Sequence, residues 1–249
     1  MTDIAITGPP RRRPLPTPLR LMASIVLILA LIAAATAGWL SRRDDGQPAV
    51  AIAAAGAGDT LAVIYSGDGG WAAIDRGLTD GLVRAGTPVV GYSSLRYFST
   101  ARTPQGAADD LAVTLRQYMA AWGKQKVILV GYSFGADALP VIVPHLPADL
   151  RARVRLVALV GLEAQGELKV HAGSWLNWAG RSAYPVAPAV TALGGGAPMV
   201  CVYGSREPHP VCPTLSPTLI RRVELKGGHH FDRDYGAISR AILQALPQA

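Results

Sequence analysis

The stretch that most constrains this chain is Lys126-Val127-Ile128-Leu129-Val130, followed at once by Gly131-Tyr132-Ser133-Phe134-Gly135. The first run is mostly apolar and rich in β-branched residues, the signature of a short buried strand. Ala136 to His145 reads as a helix. A serine pinned between a buried strand and a helix sits on a turn too tight for bulky neighbours, and glycines two residues before and two after it meet that need. The step predicts a parallel sheet whose carboxyl edge presents the Ser133 hydroxyl. The competing reading is a Gly-rich turn that merely closes a βα unit.

A serine hydroxyl is a poor nucleophile until a base takes its proton and a third group orients that base. Five histidines are present: His145, His171, His209, His229 and His230. Only the last two follow the final strand-like run, Ile220 to Leu225, and they lie in the turn Gly227-Gly228-His229-His230-Phe231. The G-H-x-F spacing favours His229 as the base, with His230 the alternative. His145, between two prolines at a helix end, reads as structural, and His171 and His209 read as surface loop residues. The acid should follow the preceding strand, Pro198 to Gly204. Glu207 stands three residues past Gly204, and the remaining acid before His229 is Glu224, inside the last strand. Glu207 is therefore the expected partner of the His Nδ1–H, a solvated loop carboxylate being the bland reading.

Acyl transfer also needs donors for an oxyanion. The backbone N–H of Phe134, directly after the serine, is one. The other should follow an early strand. Leu61-Ala62-Val63-Ile64-Tyr65 is that strand, and Ser66-Gly67-Asp68-Gly69-Gly70-Trp71 is its loop. The expected donor is the Asp68 N–H, with Gly69 as the alternative. The loop lacks the Lys-Ser/Thr of a phosphate-binding P-loop.

The wider pattern alternates strand and helix. Helices are expected near Ile74–Ala85, Pro104–Trp122 and Tyr235–Leu246, with further strands at Pro88–Tyr92 and Arg153–Gly161. Pro140 should kink the helix after Ser133. Leu162 to Ala197 reads as irregular, and its Trp175, Trp178 and Tyr184 suit either a lid over the site or simple loop packing. About six parallel strands in a compact, mostly parallel sheet with helices on both faces describe an α/β fold of the α/β-hydrolase kind. The expected domain spans 59–249.

Before it, residues 1–20 are Pro/Arg-rich, and Leu21 to Leu40 runs 20 residues without a charge, enough to span a bilayer. Arg11, Arg12, Arg13 and Arg20 precede that stretch, which predicts a cytoplasmic amino terminus and an exported main domain. Ala35-Thr36-Ala37 fits a signal-peptide cleavage site, and an uncleaved signal anchor fits equally. Residues 41–58 read as a linker. Either way the expected location is the periplasm, anchored to the inner membrane or released after cleavage.

The net charge is +7, and residues 1–37 contribute four Arg and one Asp to it. The mild basic excess that remains suits an anionic lipid surface or plain solubility. No basic run is interleaved with aromatics, which argues against nucleic acid as a partner. Cys201 and Cys212, an even pair in an oxidising compartment, predict a disulfide that closes a short loop around Glu207, against the alternative of two buried thiols. No metal-ligand cluster is visible and no cofactor is implied.

Taken in order, SGDGGW, Ser94-Leu95-Arg96-Tyr97-Phe98, GYSFGAD and Gly-Gly-His-His-Phe-Asp resemble the bacterial virulence protein family VirJ/AcvB across roughly Leu61 to Leu246. The resemblance implies a periplasmic α/β-hydrolase-like protein that hydrolyses aminoacyl-phosphatidylglycerol, chiefly the lysyl form, to phosphatidylglycerol and free amino acid. It also implies a link to virulence secretion machinery in some members, so a secretion-system component is a candidate partner. A non-catalytic periplasmic adaptor and a general exported carboxylesterase are the alternatives. The family's serine and histidine correspond to Ser133 and to His229 or His230. A cationic acyl group would want carboxylates at the mouth of the site, for which Asp68, Asp137 and Asp232 are candidates, and Arg96 is a candidate contact for the lipid phosphate.

Overall fold

The computed structural model describes residues 22, 24–33, 47–56, 58–171 and 182–247. The chain divides into two units, Met1–Arg43 and Asp44–Ala249. In the first, residues 24–33 form helix α1, and apolar side chains such as Ile25, Leu27 and Leu29 are exposed all round it. No helix among the described residues is long and apolar enough to cross a membrane. Residues 1–20 and the Ala35–Ala37 cleavage site lie outside the described residues, as do Trp175 and Trp178.

The second unit is built on a seven-stranded sheet. Its strands are β1 (Val50–Ile52), β2 (Thr60–Tyr65), β3 (Val89–Tyr92), β4 (Lys126–Tyr132), β5 (Val154–Val160), β8 (Met199–Gly204) and β9 (Arg221–Leu225), in the order β1-β3-β2-β4-β5-β8-β9. All neighbours pair in parallel except β1, which runs antiparallel to β3. Residues 41–58 are therefore not linker throughout, because Val50–Ile52 add an edge strand that the Ala/Gly-rich composition hid. One half-buried residue, two exposed ones and a short length gave no alternation to read.

The near-continuous apolar runs of β2, β4 and β5 are explained by helices on both faces. Helix α2 (Ala73–Arg84) and α8 (Tyr235–Ala245) cover one face, with Leu78, Leu82, Ile238 and Ile242 buried against Ile64, Ile128 and Val202. Helices α4 (Pro104–Trp122), α5 (Phe134–Ile142) and α7 (Val186–Leu193) cover the other, with Leu111, Leu115, Leu139 and Val190 against Val63, Leu129 and Leu159, and the single-turn α6 (Ala148–Arg151) leads into β5. Helix α4 starts at Pro104, with the Thr103 hydroxyl accepting the Gly106 N–H at 3.0 Å, and ends at Gly123 in the left-handed conformation (φ 63°).

Two differences from the expected elements have local causes. The helix after Ser133 ends at Ile142 and passes into a 3-10 turn, Val143–His145, where Pro144 adds a second missing N–H to that of Pro140. The segment expected to be irregular holds α7 and a small hairpin of β6 (Gln165–Gly166) and β7 (Tyr184–Pro185). A helix of eight residues made almost wholly of Val, Ala, Leu and Thr, entered through Pro185, offers no polar face to mark its period.

The SGDGGW and SLRYF blocks tie the sheet edge together. The Ser94 N–H donates to Ser66 Oγ at 2.9 Å, and the Ser94 hydroxyl donates to the Ser66 carbonyl at 2.6 Å. The loop after β2 is thereby fastened to the short helix α3 (Ser94–Tyr97) that follows β3. Trp71, at the end of the same loop, lies over Gly91 so closely that a Cβ there would overlap its ring. Tyr97 and Phe98 are buried with Tyr65 and Tyr92, whose rings stack 4.7 Å apart. The SLRYF block is thus largely a structural clamp.

Candidate active site

Ser133 stands at the carboxyl end of the central strand β4, with φ 52° and ψ −119°. A non-glycine residue in that region stores strain, and the surrounding backbone must impose it. Here it does. The Ser133 N–H donates to the Val160 carbonyl at 2.8 Å, and the Ser133 carbonyl accepts the Ala136 and Asp137 N–H groups at 2.7 and 3.1 Å. A Cβ on Gly131 would overlap the Gly135 carbonyl, and one on Gly135 would overlap the carbonyl of Tyr65. The two glycines permit β4, α5 and β2 to crowd together beneath the serine.

His229 is carried by the loop after β9. Its Nε2 lies 3.0 Å from Ser133 Oγ, and its Nδ1 lies 2.5 Å from Glu207 Oε1. Glu207 follows β8 and is nearly buried at its side chain; its second oxygen accepts the Gly204 N–H at 3.2 Å. A buried acid with both oxygens engaged holds one position, and so fixes the imidazole with Nδ1–H toward the acid and Nε2 toward the serine. Burial alone would lower the pKa of His229. The hydrogen bond and charge of Glu207, joined by Glu163 and Asp68, outweigh it and raise the pKa above the usual value.

Close packing makes room for the ring. Gly161, at the end of β5 with φ 64°, approaches it so nearly that a Cβ would lie 2.9 Å from Cε1. Tyr132 supports the loop from below, its hydroxyl 2.8 Å from His230 Nδ1 and within 3.3 Å of the His229 carbonyl. His230 is thus engaged by Tyr132, while its neighbour reaches the serine.

Phe134 opens α5, so its N–H is among those a helix cannot pair internally. Gly67, in the loop after β2, sits against the nucleophile, with its Cβ position 3.6 Å from that of Ser133. A tight turn closes on the next residues, the Gly70 N–H donating to the Gly67 carbonyl at 3.0 Å. Asp68 lines the cavity beside Ser133, whereas Gly69 is exposed and does not line it.

The cavity in front of these groups has a volume of about 420 Å³. Five acidic side chains line it, Asp68, Asp137, Glu163, Glu167 and Glu207, and among the described residues no lysine or arginine does. Glu167 is held by His171 at 2.9 Å. Asp137 is 3% exposed; its Oδ1 accepts the Glu163 N–H at 2.9 Å, and burial drives its pKa well above the ordinary carboxylate value.

Two other candidate contacts fall elsewhere. Arg96 is exposed on α3 and does not line the cavity. Asp232 makes a two-oxygen ion pair with Arg206 at 2.6 and 2.9 Å, which bridges the Glu207 and His229 loops. His209, expected on the surface, joins the cavity wall with φ 53°. Sequence reasoning passed over Glu163, although it is the first acid beyond the carboxyl end of a parallel strand, where sites in such sheets gather. Cys201 in β8 and Cys212 form a disulfide with Cα atoms 5.6 Å apart, enclosing the Glu207 loop.

The family described as bacterial virulence protein (VirJ) matches residues 59–249. The chain belongs to that family. No curated protein matches it. Among solved structures, the VirJ domain is similar to an α/β serine hydrolase homologue from Coxiella burnetii (TM-score 0.53, 15% identity, 78% of this chain and 89% of that one). It is also similar to esterase PE8 (TM-score 0.53, 18% identity, 81% and 99%) and to Est1E from Butyrivibrio proteoclasticus (TM-score 0.51, 10% identity, 80% and 99%). At these identities the likeness establishes that the VirJ domain has the α/β-hydrolase fold.

Proposed function

We propose that this protein is a periplasmic serine esterase that hydrolyses the aminoacyl ester of aminoacyl-phosphatidylglycerol, with the lysyl form as the favoured substrate. The observation that carries the reading is the continuous chain Ser133 Oγ–His229–Glu207 opening into a cavity walled by carboxylates. The chain supplies the nucleophile; the wall suits an acyl group that bears ammonium charge.

His229 takes the Ser133 proton as Oγ attacks the ester carbonyl, and the negative charge on the carbonyl oxygen is met by the N–H groups of Phe134 and Asp68. Collapse of this intermediate breaks the bond to the glycerol oxygen, which leaves with the proton from His229 as phosphatidylglycerol. Water, deprotonated by the same imidazole, then attacks the acyl-serine. The amino acid departs and Ser133 regains its proton. The α-ammonium makes the carbonyl electron-poor, so such esters are good substrates for serine attack.

The uncharged stretch Leu21 to Leu40, with arginines on its amino side, supports export and residence at the inner membrane, where the lipid lies. The test is amino-acid release from mixed vesicles containing lysyl-phosphatidylglycerol by the full-length protein, with Ser133→Ala and His229→Ala beside it. Release by wild type and by neither variant supports the proposal. Cleavage of short-chain esters without any release from the lipid discards the lipid and keeps the esterase.

A further inference from the structure

We infer that Glu163 is the specificity residue that grips the α-ammonium of the acyl group, so that the enzyme selects esters of amino acids whose α-amino group is free. The inference rests on the aminoacyl-ester reading above and names the side chain that would enforce it.

Position comes first. Glu163 Oε1 lies 3.9 Å from His229 Nε2, and Ser133 Oγ lies 3.0 Å from the same nitrogen on its hydrogen-bonding side. The carboxylate and the nucleophile are thus no more than about 7 Å apart. In an acyl-serine the α-nitrogen is three bonds from Oγ, roughly 3–3.7 Å away with ordinary bond lengths. Pointed toward Glu163, it covers about half of the gap and leaves an ion-pair distance to Oε1. Glu163 does not compete for Nε2, because Ser133 holds the hydrogen-bonding position and 3.9 Å is too long for a hydrogen bond.

Availability comes second. The Glu163 side chain is 48% exposed, and His229 is the only cationic group within ion-pair range of it among the described residues. Of the other wall acids, Glu207 is spent on His229 and Glu167 is paired with His171. An acyl group entering the cavity would cover Glu163 and strengthen its pairing with a cation.

Anchorage comes third. The Glu163 backbone is tied to the buried carboxyl of Asp137. That carboxyl is nearly inaccessible, lines the cavity, and makes the tie through Oδ1. Asp137 is therefore a positioning residue that holds Glu163 at the mouth of the acyl pocket.

The experiment compares wild type with Glu163→Gln, a substitution of equal size at a half-exposed site. The substrates are alanine ethyl ester, N-acetyl-alanine ethyl ester and lysyl-phosphatidylglycerol in vesicles. Loss of a charge-assisted contact should lower kcat/KM on alanine ethyl ester roughly 10- to 100-fold and leave the N-acetyl ester within about 2-fold. Equal losses on both ethyl esters, with the acid limb of the pH profile displaced, would mean that Glu163 acts through His229, and would overturn the inference. No loss on either would overturn it too. A selective loss on the ethyl esters with the lipid untouched would uphold Glu163 and sink the lipid reading. Cleavage of the lipid without a selective loss would do the reverse, and a wild type inert on all three would sink both.

Discussion

The two sides of the active site are held by different means. On one side Ser133 is fixed by backbone alone: a strained φ/ψ, hydrogen bonds to β5 and α5, and glycines that allow no Cβ. On the other, Glu207 and His229 ride on loops after β8 and β9 that side chains fasten in addition to backbone bonds such as Arg206 N–H to the Gly227 carbonyl at 2.8 Å. Those fasteners are the Cys201–Cys212 disulfide, the Arg206–Asp232 ion pair and the Tyr132 hydroxyl. The difference teaches where damage should appear. A fault on the serine side should prevent folding, whereas one on the acid-and-base side should leave the fold and degrade the chemistry.

The sharpest way to break this contrast is Gly135→Ala. A Cβ there meets main-chain oxygens of Tyr65 and Ser66 that cannot move without disrupting β2. We expect a loss of more than about 4 kcal/mol, seen as insoluble protein or a collapsed Tm. A variant that melts like wild type would refute the backbone account.

Glu207→Gln should do the opposite. The packing is kept, so Tm should hold, while kcat falls by roughly 10²–10⁴-fold because the imidazole loses its orienting charge. The pH profile carries a sign as well. His229 must be neutral to act, and its pKa is raised above 6.5 chiefly through Glu207 against the effect of burial. Activity in wild type should therefore rise with pH through a midpoint above 6.5, and the midpoint in the variant should move lower. A midpoint that stays in place would separate Glu207 from the base.

Removing the disulfide with Cys201→Ala/Cys212→Ala closes the distance between the two sides. The bridge spans a sequence separation of 11, and its loss should cost about 2–3 kcal/mol by the chain-entropy account. Residual activity should fall by less than about 10-fold, since Glu207 keeps its bond to the Gly204 N–H. Denaturant melts beside initial rates measure both. Smallest of all, Arg206→Ala removes an exposed ion pair and should change kcat/KM by no more than about 3-fold, because such pairs contribute little in water. A larger drop would show that the loop is held less by the disulfide than the structure implies.

The same contrast explains what the sequence made legible. The elbow could be read because its demands are local: a buried strand, Gly131, Ser133 and Gly135, with a helix beyond. Strands β2 to β5 could be read because helices cover both faces and make their runs almost wholly apolar. Glu207 and His229 were accessible through chain order and their place after strands. Edge strand β1 and helix α7 were not, since one is three residues long and the other shows no polar face. Asp232 and Arg96 looked like site residues because their loops lie at the proper edge. Which way a loop side chain turns depends on partners such as Arg206, far away in sequence. Glu163 was hidden in a segment without a pattern, though its place after β5 marked it.

The central claim is that Ser133 is an activated nucleophile, and covalent labelling tests it most directly. Full-length protein is treated with a fluorophosphonate and the modified residue located by peptide mass spectrometry. The account predicts a single adduct on Ser133, formed far more slowly in His229→Ala and absent in Ser133→Ala. A folded wild type that stays unlabelled while a control esterase reacts would contradict it.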